Sequence, residues 1–242
     1  MQRGLIRDRA LILGALAVAL CFAIGAAAAA PTTSPAFEQQ LREINARGLK
    51  IKDLTADFVQ EKQSPLLRKP LVSRGTVAAK GDTSRWDTIV PEPTRMTCDP
   101  HLLRIYYPDR HVCEEYPVAA RLGMLATSPL PSLDVIQQNF TLSPDAGDGL
   151  LAPNGPPNLV AARMDPANDD VRKYIDHARV LLDPARGLAL ALEMVDPDGE
   201  RTLIRFSNIK TDVGLTDDAV RLDLPANMKI VHPLGQPETP PR

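Results

Sequence analysis

Apolar and polar residues alternate with period two through most of the chain. Leu54, Ala56 and Phe58 alternate with Thr55, Asp57 and Glu61, and Ser73, Gly75 and Val77 with Arg74 and Thr76. Such alternation predicts strands with one buried and one wetted face. With Arg85-Trp86 beyond the Lys80-Gly81-Asp82 turn, they make three opening strands. Thr94–Cys98, Leu102–Tyr107 and His111–Tyr116 read as three more, joined by turns at Asp99-Pro100 and Pro108-Asp109-Arg110. Consecutive strands with short connections predict a meander. Asn158–Met164 and Tyr174–Asp183 follow as strands, with an irregular turn at Pro166–Asp170 between them. Leu188, Leu190, Leu192 and Met194 then alternate with Ala189, Ala191 and Glu193. Asp196-Pro197-Asp198-Gly199 is a hairpin turn. It leads to a strand carrying Ile204, Phe206 and Asn208 against Leu203, Arg205 and Ser207. Val220, Leu222 and Leu224 predict a last strand.

Two stretches follow a helical period instead. Pro35–Gly48 places Phe37, Leu41 and Ile44 on one stripe. Residues 119–126 and 132–138 are helix-like on either side of Ser128-Pro129-Leu130-Pro131, with Ser132 as a cap. Short helices inserted into an antiparallel sheet predict a cover over one of its faces. The expected class is therefore α+β, a large antiparallel sheet with short covering helices. Residues 145–157 read as a polar loop rich in glycine and proline.

Phe58-x-Gln60-x-Lys62, Pro70-Leu71-x-Ser73-x-Gly75 and Arg85-Trp86, in that order and spacing, resemble the opening signature of the LolA-type periplasmic lipoprotein carriers. Residues 180–206 resemble the closing half of the same family, and the likeness spans roughly residues 37–231. The resemblance implies an unclosed antiparallel β-barrel with helices over its mouth and acyl chains held between. It also implies an acylated lipoprotein or lipid as cargo, an inner-membrane lipoprotein-releasing transporter as donor and an outer-membrane acceptor. Many carriers of the family have Arg-Pro where this chain has Lys80-Gly81, at the cavity mouth. Lysine keeps the charge without the planar fork of arginine. A glycolipid carrier for another exporter, or a periplasmic sensor of acylated molecules, would use the same scaffold.

Composition narrows the cargo. Hydrophobic residues make up 44% of the chain but aromatic ones only 4%, so a pocket would be aliphatic and suited to flexible hydrocarbon. Arg3, Arg7 and Arg9 precede an apolar run ending in five alanines, Ala26 to Ala30. This is the pattern of a secretory signal peptide over residues 1–29 and predicts export to the periplasm. Leu20 before Cys21 is too large for a lipid-attachment motif. The carrier domain is expected over residues 30–232 and a proline-rich, disordered tail over 233–242. The formal charge is −2; the leader carries +2, leaving the remainder near −4. No basic block accompanies it, which excludes nucleic acid as a partner class. A monomer is expected.

Signals for catalysis are missing from the sequence. The four histidines, His101, His111, His177 and His232, lie in no helix-borne metal motif. There is also no nucleophile elbow, phosphate loop or Cys-x-x-Cys. No enzyme, metal or cofactor is expected. Cys98, His101, His111 and Cys113 have the residue types of a zinc site, but a strand separates the two histidines by about 16–20 Å. A Cys98–Cys113 disulfide suits an exported chain. In a simple meander, however, the two cysteines sit on next-nearest strands roughly 9–10 Å apart, so a bridge needs a bulge or another register. Face parity nominates Leu54, Phe58, Val77, Trp86, Ile105, Leu122, Met124, Leu190, Leu192, Met194, Ile204 and Phe206 as cavity-lining, with Lys80 at the mouth.

Overall fold

The computed structural model describes residues 34–117, 133–151 and 155–233. Helix α1 (Pro35–Gly48) forms on the Phe37, Leu41 and Ile44 stripe, with proline at its first turn, where a missing N–H costs nothing. The strands are β1 (Asp53–Gln63), β2 (Leu71–Lys80), β3 (Thr83–Val90), β4 (Thr94–Cys98), β5 (Leu102–Tyr107) and β6 (Val112–Pro117), followed by α2 (Leu133–Asn139). Then come β7 (Phe140–Asp145), β8 (Val160–Pro166), α3 (Asp169–Arg172), β9 (His177–Asp183), β10 (Leu188–Val195), β11 (Arg201–Thr211) and β12 (Lys229–Val231).

Together the strands make one curved sheet, in the order β12-β6-β5-β4-β3-β2-β1-β11-β10-β9-β8-β7. Its end strands, β12 and β7, do not pair with each other, so the sheet stays unclosed. The β1–β6 meander is antiparallel throughout, and only β12 joins in parallel, against β6. The central β1–β11 pair brings the two ends of the chain together.

Three details depart from expectation. Residues 221–224 form no strand: a 3-10 turn at Asp217–Val220 begins an extended segment that leads to β12. The chain also has a strand at β7, where Phe140 and Leu142 are buried. The segment expected to be irregular after Pro166 contains α3, capped by Asn168 Oδ1, which accepts from the Val171 amide at 3.0 Å. The predicted helix over 119–126, the leader and the tail beyond residue 233 lie outside the described residues.

Register assigns the two faces. Phe58 stands opposite Phe206, Val77 opposite Trp86, Trp86 opposite Met96, Met96 opposite Ile105, and Ile204 opposite Leu192. Residues paired across a sheet share a face, so these side chains all project to one side. The helices cover the same side. Phe37, Leu41 and Ile44 of α1, Leu133 and Ile136 of α2, and Val171 at α3 bury against Ala162, Met164, Ala178, Val180, Leu182 and Leu192.

Two contacts fix this cover. The C-terminal end of α1 packs backbone to backbone on the β9–β10 turn: a Cβ on Gly187 would lie 2.4 Å from the Gly48 nitrogen. Arg47 Nη1 donates to the Pro184 carbonyl at 2.9 Å beside it. Asn45 Oδ1 then accepts from the Leu133 amide at 3.1 Å, so α1 caps α2 from another element. Replacing Asn45 by alanine is expected to cost about 1 kcal/mol, as losing a helix cap does. Chemical denaturation would measure it, and no change would show that the contact is not stabilising.

The opposite face carries a network of ion pairs beside a second, smaller apolar cluster. Arg179 on β9 binds Asp145 Oδ1 at 2.7 Å and Glu193 Oε1 at 3.1 Å, and Arg201 binds the other oxygen of Glu193. Arg205 lies outside this group; it pairs with Glu61 at 2.8 Å and donates to the Leu150 and Gly149 carbonyls. These bonds hold the 145–151 loop down, and Leu150 is fully buried against Ala161, Leu181, Ala191 and Leu203. Asp53 fastens the start of the segment leading to β12, its carboxylate accepting from the Val213, Gly214 and Leu215 amides.

Candidate functional site

The helix-covered face gathers most of the residues nominated by parity. Phe58, Val77, Trp86, Ile204 and Phe206 form one buried cluster with Ala56, and Met96 and Ile209 pack at its margin. Trp86 sits between two phenylalanines, with ring centroids 4.8 Å from Phe58 and 5.7 Å from Phe206, both tilted. Such tilted pairs suit the ring quadrupoles. Leu192 lies in the neighbouring cluster under the helices, with Met194 packed against it. Leu54 is buried beside Ala79 and Leu188 at the far end of β1. Ile105 continues the same face onto β5 and is half-buried.

Leu190 is buried but belongs to none of these clusters. A bulge between Ala189 and Ala191 shifts the register of β10 against β9, so that Ala189, not Leu190, joins Leu182 and Leu192 under the helices. Parity counted along the sequence cannot see an inserted residue. Leu122 and Met124 lie outside the described residues.

Lys80 ends β2 on the face away from the helices, since its parity is opposite to that of Val77 and Ala79. Its ammonium binds Asp217 Oδ1 at 2.6 Å and so ties β2 to the 3-10 turn. Cys98 and Cys113 are not bonded to each other. Cys98 stands opposite Leu103 and Cys113 opposite Tyr106. Positions 103 and 106 have opposite parity, so the two thiols project from opposite faces. No shift of the meander by a bond length repairs that.

On the side over β7–β10 the apolar face is not an open hollow. Side chains of α1 and α2 pack onto it.

A polar corner adjoins the apolar face on β5 and β6, and parity alone did not single it out. Tyr107, Glu114 and Tyr116 share parity with Ile105. Glu114 Oε2 accepts from the Tyr116 hydroxyl at 2.8 Å and from the Tyr107 hydroxyl at 3.2 Å. The Arg110 guanidinium lies 4.7 Å from the centroid of the Tyr107 ring. Burial, then the bond to Glu114, pushes the Tyr116 phenol up to about 12, and burial, then the charge of Glu114, raises Tyr107. A raised folded value means that the contribution to stability is complete below the ordinary phenol range and is lost as pH climbs through the folded one. The corner is therefore expected to weaken the fold only between about pH 10 and 12. Ultraviolet titration of tyrosinate should show two late-titrating phenols among the four tyrosines. Glu114→Gln should bring both down, and unchanged titration would contradict the assignment.

An unclosed curved sheet with an aliphatic and aromatic face under short helices defines the class: a β-sheet scaffold that shelters an apolar surface. No family model matches the chain. A curated relative, the outer-membrane lipoprotein carrier protein of Dechloromonas aromatica, is 26% identical over 183 residues, covering 74% of this chain and 81% of its own. The solved structure of an uncharacterized conserved protein from Thermus thermophilus superposes with a TM-score of 0.51 at 11% identity, over 81% of this chain and 99% of that one. A LolA superfamily protein from Nitrosomonas europaea gives 0.41 at 10% identity, over 76% and 97%. The sequence likeness to an outer-membrane lipoprotein carrier protein agrees with the resemblance read from the opening and closing motifs. No helix among the described residues is long and apolar enough to cross a membrane.

Proposed function

We propose that this protein is a periplasmic carrier that shelters the acyl chains of a lipoprotein or lipid against the helix-covered face of its sheet. One observation carries the reading: Phe58, Val77, Trp86, Leu192, Ile204 and Phe206, from five strands far apart in sequence, share one apolar face. That the Dechloromonas aromatica relative is an outer-membrane lipoprotein carrier protein supports the cargo class. The leader pattern supports export. In this reading cargo passes from an inner-membrane transporter to an outer-membrane acceptor, and no reaction is catalysed.

The energies are compatible with reversible loading. Ten buried methylenes of an acyl chain contribute about 8 kcal/mol. Lifting Phe37, Leu41 and Ile44 out of their cluster costs roughly 5–9 kcal/mol. Because these magnitudes are similar, cargo can replace the helix side chains without trapping either state.

Extraction and mass spectrometry of protein purified from an exporting host should recover acyl lipid or acylated peptide in fixed stoichiometry. The head group recovered separates a lipoprotein from a glycolipid. A protein that carries no lipid and takes none up from detergent would overturn the proposal.

A further inference from the structure

The β1–β2 hairpin tip and the adjoining end of β3 carry aliphatic side chains where the fold has no use for them. Leu66 is 93% exposed at the turn, and Leu67 beside it is exposed too. Leu71 and Val72 open β2, and Ile89 and Val90 close β3, all four exposed. Arg74 pairs with Val90, so both hairpins end at the same border of the sheet. Elsewhere the strands alternate, but Leu71 and Val72 are neighbours of opposite parity. This border is therefore apolar on both faces as well as at its tip. A buried core would need only one of these faces.

Charge adds a second observation. Arg68, Lys69 and Arg74 lie among these residues, exposed and in no ion pair among the described residues. Of the acids at this border, Glu61 pairs with Arg205, Glu92 with Arg110 and Glu200 with Lys62, while Asp196 and Asp198 of the β10–β11 turn, whose Gly199 adjoins Pro65, are in no ion pair among the described residues. Three cations against these two carboxylates leave the tip net positive. The tip itself is ordered, since Ser64 accepts from the Leu67 amide through its carbonyl and from the Leu66 amide through its hydroxyl.

We infer that this border is a wedge that docks the protein on an anionic lipid surface. Leu66 and Leu67 enter the interfacial region, while Arg68, Lys69 and Arg74 meet anionic head groups. A fluid interface can surround an element that is apolar on both faces and at its tip; a flat protein patch meets only one side. Docking goes beyond acyl carriage and does not depend on it, because the wedge lies at the strand ends rather than on the covered face.

Co-sedimentation of the purified protein with vesicles tests this. Vesicles of phosphatidylglycerol and phosphatidylcholine should pull the protein down, and pure phosphatidylcholine should do so far less. Leu66→Asp with Leu67→Asp should lower partitioning roughly tenfold or more, and Arg68→Glu with Lys69→Glu should do the same and abolish its salt dependence. Thermal melting of each variant should stay at the wild-type value, since these side chains are exposed. Equal binding to both vesicle types, no binding by the wild type, or variants that bind vesicles normally would each overturn the inference. So would binding that needs a membrane protein in the vesicle, which would assign the border to a protein partner. Acyl-chain uptake in solution reports on the covered face alone, so failure of docking and failure of carriage are separable.

Discussion

Gly75→Ala is expected to destabilise the fold by about 3 kcal/mol, near the upper end for overpacking. A Cβ at position 75 would sit 2.0 Å from the Asp87 carbonyl oxygen and 2.9 Å from a Phe58 ring carbon. The oxygen belongs to the backbone of β3 and cannot rotate away. The β2–β3 ladder must open locally, where the register already shifts between Arg74 and Gly75. Phe58 must also tilt, and it packs on Trp86. The substitution therefore strikes the sheet and the apolar face together. Denaturant melts would measure the loss, and the emission of Trp86, the sole tryptophan, would report the disturbed cluster. A melt within about 0.5 kcal/mol of the wild type would contradict this packing.

The second large effect is expected at Glu193→Ala, about 3 kcal/mol, in the range for breaking a buried ion pair from one side. Glu193 is only 3% exposed and binds both Arg179 and Arg201. Its loss leaves Arg179 with the Asp145 carboxylate and the Asp148 carbonyl, and Arg201 with no carboxylate among the described residues. Glu193→Gln keeps the shape and one acceptor, so it should cost less than the alanine. If both variants melt like the wild type, this network contributes nothing. Acid acts on the same network through Asp145, whose carboxyl is held below its ordinary value, chiefly by the bond from Arg179. A depressed value means that the contribution is present above the unfolded pKa, near 4, and is lost as pH falls through the folded one.

The sequence was legible where period and packing agree. Helix α1 and strands β1 to β5 follow from stripe and alternation, because each has one buried face. Illegible parts have three physical causes. The alternation of Val220, Leu222 and Leu224 says which side chains turn inward, not whether the backbone finds a partner strand, and among the described residues that segment pairs with none. In β10 the residues of both faces are buried, so Leu190 and Ala189 could be ranked only by a bulge that composition does not signal. The 145–151 loop looked polar, yet Leu150 is its anchor, held by arginines three strands away in the order of the chain. Of the candidate face, the apolar members were readable by parity. The Tyr107–Glu114–Tyr116 corner was not, because it depends on which two strands meet.

Trp86 offers the most direct test of acyl carriage, since it lies between Phe58 and Phe206 on the covered face. Its fluorescence should be quenched, saturably, by a fatty acid brominated along the chain, and not by the same bromine carried on a soluble head group. Quenching should fall when Phe206 is replaced by aspartate in a variant that still melts cooperatively. Emission indifferent to the brominated chain, from a protein shown to be folded, would contradict the account.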